Sequence, residues 1–158
     1  MTIAWTADMN TGIDVIDDQH RRIVDYVNLL ERANRHHTGT VVGQVLTDLV
    51  DYTTSHFAFE EKLQTDAGYK FAQPHKSVHD LFIKRVAKYR QRYDAGEDVG
   101  EQLHDMLKTW LIHHIKRDDA DYVAAVNSKI AVLVHDKAEG GWLSRTLRTF
   151  FDAPDAGR

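Results

Sequence analysis

Apolar residues recur along most of the chain at intervals of three and four residues, which is the spacing of one face of an α-helix. In the first of these stripes the apolar residues are Ile13, Ile16, Ile23, Val24, Val27 and Leu30. The stripes predict four long helices, at about residues 17–36, 40–66, 73–94 and 98–135. Helices of this length with short connections favour an up-and-down arrangement. We therefore expect an all-α protein, an antiparallel four-helix bundle.

The two ends of the chain depart from this pattern. Residues 1–12 predict a non-helical arm, with Trp5 as its large apolar anchor. Beyond the fourth predicted helix the residues form a separate, shorter pattern. We therefore divide the chain into a bundle at residues 1–135 and a C-terminal extension at residues 136–158.

The C-terminal extension contains a short amphipathic pattern. Gly140 and Gly141 interrupt the preceding helix, and residues 142–151 then combine aromatic and leucine side chains with two arginines. We expect this short helix to fold back over the bundle and to bury its aromatic rings. The alternative is a docking helix for a partner protein or a membrane surface.

Composition limits the chemistry. A chain of 158 residues is long enough for one domain with one core. The absence of cysteine excludes disulfides, thiol catalysis and iron–sulfur clusters. The net charge is -4 and the basic residues are scattered among acidic ones, which argues against a nucleic-acid partner. The opening residues lack a secretory signal pattern, and no stretch approaches about 18 consecutive apolar residues, so we expect a cytoplasmic protein.

Histidine and glutamate interrupt the apolar stripes at positions that face the predicted core. These residues are His20, His56, Glu60, His75, His79 and His114. His56 and Glu60 are four residues apart, and so are His75 and His79. The two side chains of each pair therefore lie on one helix face, one turn apart. A buried glutamate is costly unless charged neighbours or a metal compensate it. Imidazole and carboxylate groups are ligands for first-row metals, so the pattern predicts a metal site inside the bundle.

The fourth helix offers two candidate acidic ligands. Asp118 follows His114 by four residues and Asp119 follows it by five. Regular α-helical geometry slightly favours Asp118, because five residues advance the helix by about 500°. A local widening of the helix to an i to i+5 repeat would instead favour Asp119, and such π-bulges occur at functional sites. Spacing alone leaves both residues open.

Four motifs resemble those of the hemerythrin family, in particular its single-domain bacterial members. They are DDQH ending at His20, HFAFEE from His56, HKSVH from His75 and HIKRDD from His114. The motifs occur in the order of the family and at similar separations, over roughly residues 1–125, and together they are far more specific than one HxxxH. The resemblance selects Asp119 over Asp118.

The resemblance implies a non-haem di-iron centre that binds dioxygen. Its seven ligands would be His20, His56, Glu60, His75, His79, His114 and Asp119. In the family His75, His79 and His114 saturate one iron. His20 and His56 leave the second iron with one ligand too few. The two carboxylates and an oxo or hydroxo group bridge the two iron ions.

The implied function is reversible dioxygen binding for oxygen storage, buffering or delivery. We therefore expect a non-enzymatic protein, most simply a monomer. The alternatives are a di-iron enzyme acting on peroxide or nitric oxide, and an oxygen or iron sensor. By the same resemblance large apolar residues shield the open position, and these are Phe57, Trp110, Leu111 and Ile115. Such residues also suit the core of any amphipathic helix, and the two roles are compatible.

The remaining histidines lack a partner at ligand spacing. We expect His36 and His37 to lie on the surface near a helix end, and His104 and His135 to be exposed. His113 points about 100° away from its neighbour His114, which favours a surface position or one beside the ligands. The second glutamate of the HFAFEE motif, Glu61, is expected to be solvated.

Overall fold

The computed structural model describes residues 2–36 and 39–151, and in this part of the chain all regular structure is helical. Six α-helices are present: α1 (Asp14–Arg35), α2 (Gly39–Ala67), α3 (Ala72–Asp94), α4 (Gly100–His113), α5 (Ala120–His135) and α6 (Trp142–Phe150). Helices α4 and α5 are joined without a break by a π-helical segment, His114–Asp119, and together they form the fourth predicted helix. α1 packs against α2 and α4, and α2 packs against α3, α5 and α6. The predicted all-α bundle is confirmed.

Glycine ends two of the long helices. Gly68 follows α2 with a φ of 78°, and Gly96 lies just beyond α3 with a φ of 91°. Residues with a side chain rarely adopt this left-handed conformation. At the first site the Tyr69 amide donates to the Gln64 carbonyl at 2.9 Å and the Gly68 amide donates to Thr65 at 3.1 Å. These paired bonds satisfy the last carbonyls of α2 and turn the chain towards α3.

The start of α1 is fixed by a buried acid. Asp17 accepts hydrogen bonds from the Thr11 amide at 2.8 Å, from the Thr11 hydroxyl at 2.7 Å and from the Gly12 amide at 3.2 Å. These bonds join the arm to the first turn of α1, three residues before His20. The helix begins at Asp14, which is earlier than the pattern predicted.

The N-terminal arm has more apolar anchors than the sequence indicated. Ile3 is 7% exposed and Met9 is 2% exposed, whereas Trp5 is only partly buried and lies against Arg21. The Ile3 backbone and the Asn28 side chain exchange two hydrogen bonds, of 2.7 and 3.0 Å. The arm is therefore held to α1 mainly at Ile3 and Met9, and it contains a single 3-10 turn, Ala7–Met9.

The apolar interior consists of two clusters. The larger cluster has residues on all of α1, α2, α3 and α4, among them Leu30, Leu46 and Leu103. The smaller cluster, which includes Phe59 and Tyr122, joins the start of α1 to α2, α5 and α6. On α1, His20 lies between Ile16 of the smaller cluster and Ile23 of the larger one. On α2, His56 and Glu60 lie where the larger cluster ends and the smaller one begins, on either side of residues 57–59. A polar layer therefore interrupts the core of the bundle.

Helix α6 folds back onto the bundle. The Trp142 indole donates to Asp66 at 2.7 Å, and its ring packs on Phe59 at a centroid distance of 5.6 Å. Phe151 lies 5.4 Å from the Tyr52 ring. The packing of aromatic rings against α2 agrees with the first of the two expectations for residues 142–151. The division at residue 136 and the docking role stay predictions, and residues 152–158 lie outside the described part.

None of the described helices combines the length and the apolar character that a membrane span requires.

Candidate metal centre

Seven side chains from four helical segments converge in the polar layer. They are His20 of α1, His56 and Glu60 of α2, His75 and His79 of α3, and His114 and Asp119 of the π-helical segment. Each is at most 6% exposed. Their ligand atoms form two groups that share both carboxylates. We call His75, His79 and His114 the three-histidine side, and His20 with His56 the two-histidine side.

Glu60 reaches both sides with different oxygen atoms. Its Oε1 lies 3.0 Å from the Nε2 of His75 and 3.2 Å from the Nε2 of His79. Its Oε2 lies 3.4 Å from the Nε2 of His56 and 3.8 Å from that of His20. One carboxylate therefore presents one oxygen to each side, as a group that bridges two cations would.

Asp119 repeats this arrangement from the opposite direction. Its Oδ1 lies 3.2 Å from the Nε2 of His114 and 3.3 Å from that of His75, whereas its Oδ2 lies 2.9 Å from the Nε2 of His20. These contacts are close but lack hydrogen-bond geometry, so both Asp119 oxygen atoms and both ring nitrogens of His20 are without a hydrogen-bond partner. Buried polar atoms without partners are rare, so this set of donors suits metal cations.

The π-helical segment explains how two successive acids take different roles. The wider turn brings Asp119 onto the same inner face as His114, five residues earlier. Asp118, four residues after His114, lies behind the ring and accepts a hydrogen bond from its Nδ1 at 2.8 Å. The predicted widening of the helix is present, and regular helical spacing alone would have favoured the wrong acid for the inner face.

Two further groups lie behind the imidazole rings, and sequence reasoning missed or misplaced both. The Nδ1 of His56 donates to the Gln19 side chain at 2.6 Å, and the Nδ1 of His79 donates to Glu61 at 3.2 Å. Glu61 was expected to be solvated, but its side chain is only 24% exposed. Its position one residue after Glu60 turns it towards α3, where His79 lies. Gln19 precedes His20 in the DDQH motif, which was the available signal.

Tyr122 is a third residue beside the site, and sequence reasoning did not single it out. Its side chain is fully buried, and its hydroxyl donates to Glu60 Oε2 at 3.1 Å. Burial and the nearby Glu60 carboxylate raise the pKa of Tyr122 well above its usual value, so the hydroxyl keeps its proton. Its position three residues after Asp119 places it on the same face of the helix.

Charge is balanced inside the cluster by protons when no metal is bound. Burial alone would lower the pKa of His20 and His75, but Asp119 and Glu60 outweigh it and raise both values to about 9. The pKa of His114 rises to about 10 against burial, because Asp119 and Asp118 are close.

The two acids show the reverse shift. Burial opposes the charged form of Glu60, yet His56, His20 and His75 hold its pKa well below the usual range. The pKa of Asp119 is lowered as well, because His114 and His20 outweigh burial and the repulsion from Glu60. Both carboxylates are therefore negatively charged at neutral pH and attract cations.

A small cavity adjoins the centre. Its volume is about 10 Å³ for the centre of a water-sized molecule, which is room for about one such molecule. Its walls are His20, Ile23, Val27, Leu49, Thr53, His56, Phe57, Phe82, Leu107, Trp110, Leu111, His114 and Asp119. Both residues of the two-histidine side line it, but only His114 from the three-histidine side does.

Three of the four expected pocket residues, Phe57, Trp110 and Leu111, line this cavity. Ile115 does not: it is 1% exposed and packs within the larger apolar cluster. The ring of Phe57 stacks on His79 at 3.8 Å, and Trp110 stacks on His114 at 4.4 Å. These aromatic rings therefore fix the orientation of imidazoles on the three-histidine side as well.

The structure corrects one expectation for the other histidines. His104 was expected to be exposed but is 5% exposed, because it lies on the inner face of α4 next to Leu103. Burial lowers the pKa of His104, which keeps the ring neutral. His36, His113 and His135 are exposed, and His37 lies outside the described residues.

Fold and site together define a helical-bundle protein with a buried histidine–carboxylate centre. Residues 11–126 match the family model described as the hemerythrin HHE cation binding domain. The chain is 54% identical over 149 residues to the bacteriohemerythrin of Pseudomonas paraeruginosa, covering 94% of this chain and 97% of that protein. It is 49% identical to the bacteriohemerythrin of Stenotrophomonas maltophilia with the same coverage. The chain belongs to the hemerythrin family.

The solved structures agree with this assignment. A crystal structure of wild-type hemerythrin superimposes with a TM-score of 0.75 at 30% identity, over 80% of this chain and 98% of the other. The family resemblance drawn from the four motifs is thus confirmed. Membership also confirms the expectation of a binding protein rather than an enzyme.

Proposed function

We propose that the seven converging residues hold two iron ions and that the chain binds dioxygen reversibly, for storage, buffering or delivery. The observation that carries this proposal is the division of the carboxylate oxygens. Glu60 and Asp119 each direct one oxygen to the three-histidine side and the other to the two-histidine side. A site for one ion would gather both oxygens on one side.

The unequal number of histidines supports a single ligand position. Three imidazoles and two carboxylate oxygens nearly fill the coordination of one ion, whereas two imidazoles and two oxygens leave the other with fewer ligands. The cavity lies against the side with fewer ligands. When bound, a pair of ferrous ions supplies the two electrons that reversible dioxygen binding requires.

The residues around the cavity exclude water. Leu111 is 5% exposed and Phe57 is 4% exposed, and both present only hydrocarbon surface to the cavity. A dry pocket slows the entry of water and protons, which would convert a reversible complex into a permanently oxidised centre. These residues therefore favour release of dioxygen over reaction.

An optical experiment tests the proposal. The metal content of the purified chain is measured first, and the iron-loaded protein is then reduced without oxygen and exposed to air. We expect a visible charge-transfer band that appears in air and disappears when oxygen is removed. A spectrum that becomes ferric on the first exposure and stays so would contradict reversible binding and favour the alternatives, a di-iron enzyme acting on peroxide or nitric oxide or a sensor.

We also propose that the chain acts as a monomer, with α6 as a cover of the bundle. The contacts of Trp142 with Asp66 and Phe59 support the cover. Deletion of residues 140–158 should lower the thermal unfolding midpoint. Unchanged stability with loss of vesicle binding or of a protein partner would instead favour docking through residues 142–151.

A further inference from the structure

One threonine lines the cavity beside the candidate metal centre. Among the described residues of its wall, Thr53 is the only one that carries an aliphatic hydroxyl; apart from the histidines and Asp119, its neighbours there are aliphatic or aromatic. Thr53 lies on α2, three residues before His56 and therefore on the same face of the helix. It is 2% exposed.

The Thr53 hydroxyl has no hydrogen-bond partner. Threonines in helices usually satisfy this group by donating to the carbonyl four residues earlier. On the same helix Thr47 donates in this way to Gly43 at 3.1 Å, and Thr54 donates to Val50 at 2.8 Å. Thr53 makes no such bond, so its hydroxyl is left free to donate, and its side chain belongs to the cavity wall. A buried hydroxyl without a partner destabilises a protein, which makes a partner during function the simplest reason for its presence.

A water molecule alone is a poor partner for this group. The cavity holds about one molecule of that size, and an ordered buried water needs two to four polar partners. In the loaded centre proposed above, the inward ring nitrogens of His20 and His56 and the oxygens of Asp119 would face the ions, which leaves Thr53 as the polar group of the wall that a water could still use. A ligand that is bound to a metal at one end and has an acceptor atom at the other would use the hydroxyl better.

We propose that Thr53 donates a hydrogen bond to the outer atom of a small, electron-rich ligand bound on the two-histidine side. This inference rests on the function proposed above and adds a specificity-determining residue to it. Apart from the candidate metal ligands the pocket is apolar, so one donor discriminates strongly, because a ligand without an acceptor leaves the hydroxyl unpaired. The ligand class comprises diatomic or linear triatomic molecules with an accepting outer atom, of which azide is a convenient probe.

The test compares three variants in the iron-loaded, oxidised protein. Thr53→Val removes the hydroxyl at nearly constant shape, Thr53→Ser keeps it, and Thr54→Val is the matched control on the exposed face of α2. Azide affinity is measured by optical titration. We expect Thr53→Val to bind azide roughly tenfold to a hundredfold more weakly, since the bond involves a charged acceptor. Thr53→Ser and Thr54→Val should remain close to the unmodified chain.

A second measurement requires no metal. In the metal-free protein, Thr53→Val should raise the thermal unfolding midpoint, because it removes an unpaired buried hydroxyl, whereas Thr54→Val should not. Equal azide affinity of Thr53→Val and the unmodified chain, at equal iron content, would overturn the role of Thr53 while leaving the proposed function standing. If the iron-loaded, unmodified chain bound neither azide nor dioxygen, the proposed function would fail and this inference with it.

Discussion

The two sides of the centre share both carboxylates but differ in what surrounds their histidines. On the three-histidine side the outer nitrogens of His79 and His114 donate to the carboxylates of Glu61 and Asp118. On the two-histidine side His56 donates to the neutral amide of Gln19, and His20 has no such partner. The cavity lies mainly against the second side.

This difference indicates a division of labour. A negative group behind an imidazole increases its basicity and fixes its orientation, which strengthens its bond to a metal. On the proposed function, the three-histidine side would therefore retain its ion tightly. The two-histidine side has fewer ligands, a neutral support and an adjoining apolar cavity, which suits an ion that must accept a further ligand.

Removing the shared carboxylate should have the largest effect, because it damages both sides at once. Glu60→Gln keeps the shape but loses the charge, and an amide cannot present two equivalent oxygens to two ions. We expect loss of both ions, beyond the roughly 10–100-fold weakening typical of removing a group behind a ligand. Iron per chain by elemental analysis measures this. Glu101→Gln, at an exposed glutamate of α4, is the control, and full iron content in Glu60→Gln would refute bridging.

A change of pH should alter metal affinity almost as strongly, because protonated histidines lie on both the three-histidine and the two-histidine side. His20, His75 and His114 carry protons up to pH values near their raised pKa values of about 9, 9 and 10. Binding of metal displaces these protons. We expect release of about three protons at pH 7 when both ions bind, so that the overall binding constant for the two ions rises roughly a thousandfold per pH unit. Calorimetry of Co²⁺ binding in buffers of different ionisation enthalpy counts the protons, and release of none would contradict the protonated cluster.

The same shifts set the stability of the metal-free chain. A histidine whose pKa is raised on folding stabilises the folded state below its unfolded pKa of 6.5, and this contribution is lost as pH rises through 9 to 10. The carboxylates act in reverse, since the lowered pKa values of Glu60 and Asp119 stabilise the fold above about pH 4 and fail in acid. Thermal midpoints of the metal-free protein should therefore fall between pH 7 and 10.

Opening the cavity should affect mainly the two-histidine side, because both of its histidines line the cavity. Leu111→Ala removes buried hydrocarbon from the cavity wall, and the unfolding free energy should fall by about 2–5 kcal/mol. Water gains access to the ligand position, so autoxidation in air should become faster. Leu81→Ala, at a leucine that is 61% exposed, is the control. An unchanged autoxidation rate in Leu111→Ala with normal iron content would show that Leu111 only packs.

The sequence predicted the side chains that point into the centre better than the side chains around them. Helical periodicity placed His56, Glu60, His75 and His79 on inward faces, because three- and four-residue spacing maps directly onto one side of a helix. The choice of Asp119 over Asp118 depended on a local widening that periodicity alone cannot fix, and family resemblance supplied it. The four-helix architecture followed from the same stripes.

The surroundings of other polar side chains were harder to predict, because they depend on how the helices pack. Glu61 looks like a surface residue on its own helix, and only the position of α3 brings it to His79. His104 is buried although it has no partner at ligand spacing, since α4 turns that face inward. Thr53 lies within an apolar stripe, and only its missing bond to the carbonyl four residues earlier distinguishes it from Thr47.

The smallest expected effect separates the two sides most directly. Asp118→Asn replaces the negative group behind His114 by a neutral one, as Gln19 already is behind His56. The hydrogen bond to Asp118 lowers the pKa of that carboxyl, so the charge that is removed is present at neutral pH. We expect the first Co²⁺ equivalent to bind about tenfold more weakly, at the low end of such effects. Asp121→Asn, an exposed aspartate three residues later, is the matched control. If Asp118→Asn instead weakened only the second equivalent, tight retention would belong to the two-histidine side, and the division of labour would be reversed.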